Sequence, residues 1–230
     1  MFFDPHYMLF VMLPSLLLAL WAQGKVKWAF AKYSKVRSSS GMTGAQAAAQ
    51  MLTDAGLGNR VGIERVSGFL SDHYDPRTKV LRLSPEVYDS RSLAAVGIAC
   101  HEAGHAVQDA TNYAPLVVRN AIVPTAGIGS NLGVWLVIIG LIIGSLKLAW
   151  VGVILFGAVV VFQFVNLPVE FNASNRAKKM LPALGIISGR EESKAIDSVL
   201  DAAAMTYVAA TVGAVLQLLY YIMLLTGRRD

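Results

Sequence analysis

The chain has 230 residues, of which 55% are hydrophobic and only 15% charged, against about 25% charged in a soluble domain. With a mean hydropathy of +0.51, that balance excludes a water-soluble globule, a disordered tail and a nucleic-acid-binding domain. The net charge of +5 reads as basic loops beside a membrane. The single cysteine, Cys100, excludes an internal disulfide framework and a cysteine-rich zinc site.

A bilayer core needs about 20 mostly apolar residues as helix, and four stretches qualify. The first runs from about Tyr7 to Ala22, with Pro14 inside it. Positive charge follows this run (Lys25, Lys27, Lys32, Lys35, Arg37) and does not precede it. That order fits a retained anchor with its N-terminus outside, and not a cleaved signal peptide. Residues 38–44 read as a flexible link, with Thr43 as N-cap of an Ala-rich helix to about Ala55, ended by Gly56 and Gly58. Residues 61–67 alternate and are β-branched, which predicts a strand. His73 to Leu83 predicts a turn at Asp75-Pro76 and a second strand, Lys79–Leu83. Ser84-Pro85-Glu86 opens a short helical stretch. A longer helix starts near Ser90, with Leu93, Val96, Ala99, Cys100, Ala103 and Val107 at helical spacing.

The second and third spans run from about Ala121 to Ser145 and Leu148 to Val165, with Lys147 at the tip of a tight hairpin. Gly129/Gly133 and Gly140/Gly144 have the spacing that lets helix backbones approach closely. The fourth span runs from about Ala202 to Leu225. Four crossings put 24–120 and 166–201 on one side. The second of these carries Arg176, Lys178, Lys179, Arg190 and Lys194, against Lys147, Arg228 and Arg229 on the other side. The positive-inside rule makes the richer side cytoplasmic. The expected organisation is an anchor (1–23), a cytoplasmic domain (24–120), a transmembrane hairpin (121–166), a second cytoplasmic segment (167–201) and a final transmembrane helix (202–230). The location is the plasma membrane, multi-pass.

Chemistry concentrates at His101-Glu102-Ala103-Gly104-His105, an H-E-x-x-H. On a helix, positions i and i+4 share a face, so both imidazoles can reach one Zn²⁺. Glu102 points beside such a metal and can move a proton from a metal-bound water to a leaving amine. Gly104 costs helix stability and implies that something approaches closely. A catalytic zinc needs a third protein ligand and an open position. His73, Asp109 and Glu170 are the candidates. Glu170, just past the third span and on the same side as the histidines, is favoured, because a charge at the end of an apolar helix calls for a partner.

The segments 71–108 and 169–177, with the anchor–domain–hairpin–anchor order, resemble the YugP-type membrane zinc metallopeptidases and, more distantly, the HtpX/Ste24-type gluzincins. The resemblance implies an α-helical membrane protein with a small α+β cytoplasmic metallopeptidase domain. It implies His101, His105 and Glu170 as zinc ligands, Glu102 as general base, and peptide-bond hydrolysis. The partners expected are a protein or peptide substrate and the lipid bilayer, with no nucleic acid, and a homo-oligomer or a membrane partner subunit. It also implies that the strand Lys79–Leu83 lies at the cleft edge, where a substrate strand can pair with it. An acidic residue is expected where Asn172 stands, to orient a histidine or the metal shell. His73 and Arg176 are candidates for stabilising an oxyanion.

A site-2-type intramembrane protease would need a later Asp-Gly pair, and the chain contains none. A di-iron oxidase would need a second E-x-x-H beside Glu102–His105. The alternative outside catalysis is a silent zinc-binding scaffold or chaperone partner, whose structural site would be closed by four protein ligands.

Overall fold

The computed structural model describes residues 4–227. Arg228 and Arg229, counted above in the charge bias, lie outside them. In chain order the elements are α1 (Pro5–Tyr33), α2 (Gly44–Asp54), β1 (Gly62–Arg65), β2 (His73–Asp75), β3 (Val80–Leu83), α3 (Pro85–Tyr88), α4 (Leu93–Ala110), α5 (Ala114–Ile142), α6 (Leu146–Ala183) and α7 (Gly189–Thr226). Among the described residues, α1, α5, α6 and α7 are the helices long and apolar enough to cross a membrane. The chain is a helical membrane protein with a small mixed domain.

The helices overrun the apolar stretches that announce them. The third span predicts a helix to about Val165, and α6 continues to Ala183. The fourth predicts a start near Ala202, and α7 begins at Gly189. Hydropathy marks only the part of a helix that lipid would cover, and a polar continuation keeps the same backbone hydrogen bonds. Lys147 is not the tip of the hairpin. It is the second residue of α6, and the turn is made by residues 143–145 with Gly144 at φ +71°.

Two compact units divide the chain. One takes in the residues up to Ala22, Ala114–Pro168 and those from Met205 on. Within it, glycines bring α5 onto α6. A Cβ at Gly129 would stand 2.3 Å from the Leu155 carbonyl oxygen, and one at Gly140 would stand 2.5 Å from the Ala149 nitrogen. Gly133 packs against Phe156 and Gly152, whereas Gly144 serves the turn. Ile142, Ile154 and Met223 are exposed, the outer surface expected where lipid is the solvent.

The other unit is Gln23–Tyr113 with Val169–Ala204. Its α2 starts at Thr43, whose hydroxyl accepts from Gln46 N while the Gln46 side chain accepts from Thr43 N, a reciprocal cap. α4 starts at Ser92, whose hydroxyl accepts from Ala95 N. Met51, Leu52, Leu81, Leu93, Leu181 and Ile196 are fully buried between these helices, the sheet and the polar halves of α6 and α7.

The sheet has the order β1-β3-β2. β3 pairs parallel with β1 (Gly62↔Val80) and antiparallel with β2 (Tyr74↔Leu81). This overturns the role expected for Lys79–Leu83. A strand bonded on both sides has no free backbone groups for a substrate, so the sheet's edges are β1 and β2. The short β2, read from the sequence as part of a turn, is what closes that edge.

Candidate metal centre

α4 carries His101 and His105 one turn apart, and α6 carries Glu170. His101 Nε2 and His105 Nε2 stand 3.4 and 3.5 Å from Glu170 Oε2. One donor atom from each of the three residues lies within 4.8 Å of the other two. Four ligands at about 2.0–2.1 Å around a tetrahedral ion are about 3.3–3.4 Å apart, so these spacings suit one small cation. Two imidazoles and a carboxylate are also the donor types that suit zinc, with a position left open. The three side chains are only 12%, 11% and 5% exposed.

The two helices meet this closely because of Gly104. A Cβ there would stand 2.8 Å from the carbonyl oxygen of Ala173 and 3.2 Å from its Cα. The glycine between the histidines thus admits the backbone of α6 within one turn of Glu170.

Hydrogen bonds hold both rings by Nδ1, so that Nε2 is the atom turned to Glu170. His101 Nδ1 bonds Ser174 Oγ at 3.0 Å, and His105 Nδ1 bonds Gln108 Oε1 at 2.9 Å. Gln108 Nε2 donates to Val169 O (2.8 Å) and to Asn172 Oδ1 (3.0 Å), and Arg176 Nε donates to the same Asn172 oxygen (2.8 Å). The sequence placed the orienting residue at Asn172. In the structure the atoms on the rings belong to Ser174 and Gln108, and Asn172 acts on Gln108. Both missed residues were signalled by helical spacing: Ser174 is four after Glu170, and Gln108 is three after His105.

Glu102 is largely buried, and burial first of all raises its carboxyl pKa, with Glu170 and Asp72 adding to the effect. The electrostatic influence of His101 and His105 opposes the shift. Asp72 itself accepts from Ser84 N and Ser84 Oγ, and burial raises its pKa as well. Cys100, adjacent to the centre in sequence, is fully buried with its thiol pushed up to about 12 by burial. It is neither a ligand nor a nucleophile there.

The other candidates for the third ligand lie elsewhere. Asp109 Oδ2 accepts from Tyr74 OH (2.7 Å) and Lys79 Nζ (2.5 Å), tying the β2–β3 hairpin to α4. Burial, with the Asp109 bond, raises the Tyr74 phenol above its ordinary range. His73 is exposed, with Nδ1 on Ser71 O, and is not part of the His101–His105–Glu170 group.

Residues 8–226 match the model of a family described as "Putative neutral zinc metallopeptidase". The chain belongs to this family. It is also 46% identical, over 222 residues, to "Putative membrane protease YugP" of Bacillus subtilis (strain 168), covering 96% of this chain and 98% of that protein. No solved structure matches it. Membership implies a peptide substrate, a membrane location and zinc as the metal, and the donor set described above is one that zinc fits.

Proposed function

We propose that the protein is a membrane-bound, zinc-dependent endopeptidase of the gluzincin type. In this reading His101, His105 and Glu170 hold the metal and Glu102 is the general base. The observation that carries it is the approach of two Nε2 atoms to Glu170 Oε2 at 3.4 and 3.5 Å, from helices far apart in sequence.

A bound zinc would supply a polarised carbonyl and a water of lowered pKa. The chain's own residues do the rest. Glu102 takes a proton from the attacking water and passes it to the amine as the C–N bond breaks and the new C–O bond forms. Ser174 and Gln108 keep the two rings oriented through that exchange. The low exposure of the three ligand side chains limits competing water and strengthens each charge interaction.

The proposed organisation remains an anchor (1–23), a domain (24–120), a hairpin (121–166), a segment with the third ligand (167–201) and a last transmembrane helix (202–230). The active site faces the cytoplasm at the plasma membrane, a side supported by the lysines and arginines that follow the first and third spans.

Purified protein incubated with casein tests the activity. Cleavage that stops with a chelator, returns with zinc and is absent in Glu102→Gln, with zinc still bound, supports the proposal. A Glu102→Gln variant that cleaves at the wild-type rate contradicts it. Zinc bound without cleavage by the wild type supports the silent scaffold instead.

A further inference from the structure

Gln108 is fully buried at 0% exposure, and the partners of its amide nitrogen have fixed chemistry. The carbonyl oxygen of Val169 can only accept, so the end of Gln108 that faces it is the NH₂. The same NH₂ meets Asn172 Oδ1, and that atom also faces Arg176 Nε, which can only donate. The amide therefore cannot be turned over. Its oxygen faces His105 Nδ1 at 2.9 Å, and an oxygen there requires the proton on Nδ1. His101 is held differently, because the Ser174 hydroxyl on its Nδ1 can donate or accept.

We infer that Gln108, clamped by Val169 O, Asn172 and Arg176, is a positioning residue that locks His105 in the Nδ1–H tautomer, so that Nε2 presents its lone pair to the metal before any metal arrives. This rests on the ligand assignment proposed above. It also gives Arg176 a part other than binding an oxyanion: its Nε holds Asn172, which holds Gln108. A free imidazole favours the proton on Nε2, the nitrogen the metal needs. Without the clamp, each binding event would first have to move that proton. Loss of such an outer partner weakens metal affinity about 10- to 100-fold.

The test uses the full-length protein, metal-free and ¹⁵N-labelled at histidine, in detergent at a pH high enough to neutralise the rings. Four histidines give a resolvable set, assigned by single substitutions. The ¹⁵N–¹H couplings report which nitrogen carries the proton, and chelator competition reports zinc affinity. The expected result is Nδ1–H at His105 in the wild type. Gln108→Met, similar in volume but without the amide, should move the proton to Nε2 or to a mixture and weaken zinc binding about 10- to 100-fold. A wild-type ring protonated on Nε2 overturns the inference whether or not any variant folds. So does Gln108→Met with the tautomer and zinc affinity of the wild type. Nδ1–H in a wild type that binds no zinc supports the lock and removes the ligand assignment, so the two readings fail separately.

Discussion

Gly104 rests on the backbone of Ala173, where an added Cβ would come within 2.8 Å of the carbonyl oxygen. In an exposed helix interior, Gly→Ala stabilises by about 1 kcal/mol. Here the obstacle is backbone, which cannot rotate away, and overpacking costs about 1–3 kcal/mol. Gly104→Ala should therefore lower the midpoint of thermal unfolding and, by moving α6 away from α4, weaken zinc binding. A midpoint raised as for an ordinary helix glycine would show that the contact is not tight.

Asp109 joins α4 to the β2–β3 hairpin through Tyr74 and Lys79. Tyr74→Phe removes one bond but leaves the lysine, so the expected loss is about 1 kcal/mol, concentrated in the hairpin. Hydrogen exchange of residues 73–83 should quicken while zinc content stays at the wild-type level. Loss of zinc in this variant would put the hairpin in the metal centre.

Asp75 faces Arg82 Nη1 at 2.9 Å and also accepts from Thr78 Oγ1 and Arg77 N, and the Arg82 bond leads in holding its carboxyl well below the usual range. A lowered folded-state value means that the ionised form stabilises the fold. That contribution is fully present above the ordinary carboxylate pKa of about 4 and fades as pH falls through the folded value. The stability gap between wild type and Asp75→Asn, measured by denaturant unfolding, should be constant above about pH 6 and close in acid. A gap that does not change with pH would mean that the carboxylate's charge is not what the hairpin uses.

The membrane spans and the histidine pair were legible in the sequence because each depends on a local rule: about 20 apolar residues make a crossing, and a four-residue interval makes one helix face. Glu170 was reached only by topology and resemblance, since nothing local ties it to residues nearly 70 positions earlier. β2 was not legible. Three residues carry no period, and β3 became central because it takes both this local hairpin partner and the more distant β1, in parallel. Ser174 and Gln108 were legible in principle by spacing, but a hydroxyl or an amide on a helix gives no sign of a ligand partner until the facing helix is known.

Whether His101, His105 and Glu170 hold one zinc ion is decided by metal content. Zinc per chain should be measured in the wild type and in His101→Asn, His105→Asn and Glu170→Gln, with helix content checked by circular dichroism. One zinc is expected in the wild type, with loss of most of it in each variant at unchanged helicity. Stoichiometric zinc at wild-type affinity in Glu170→Gln would contradict it.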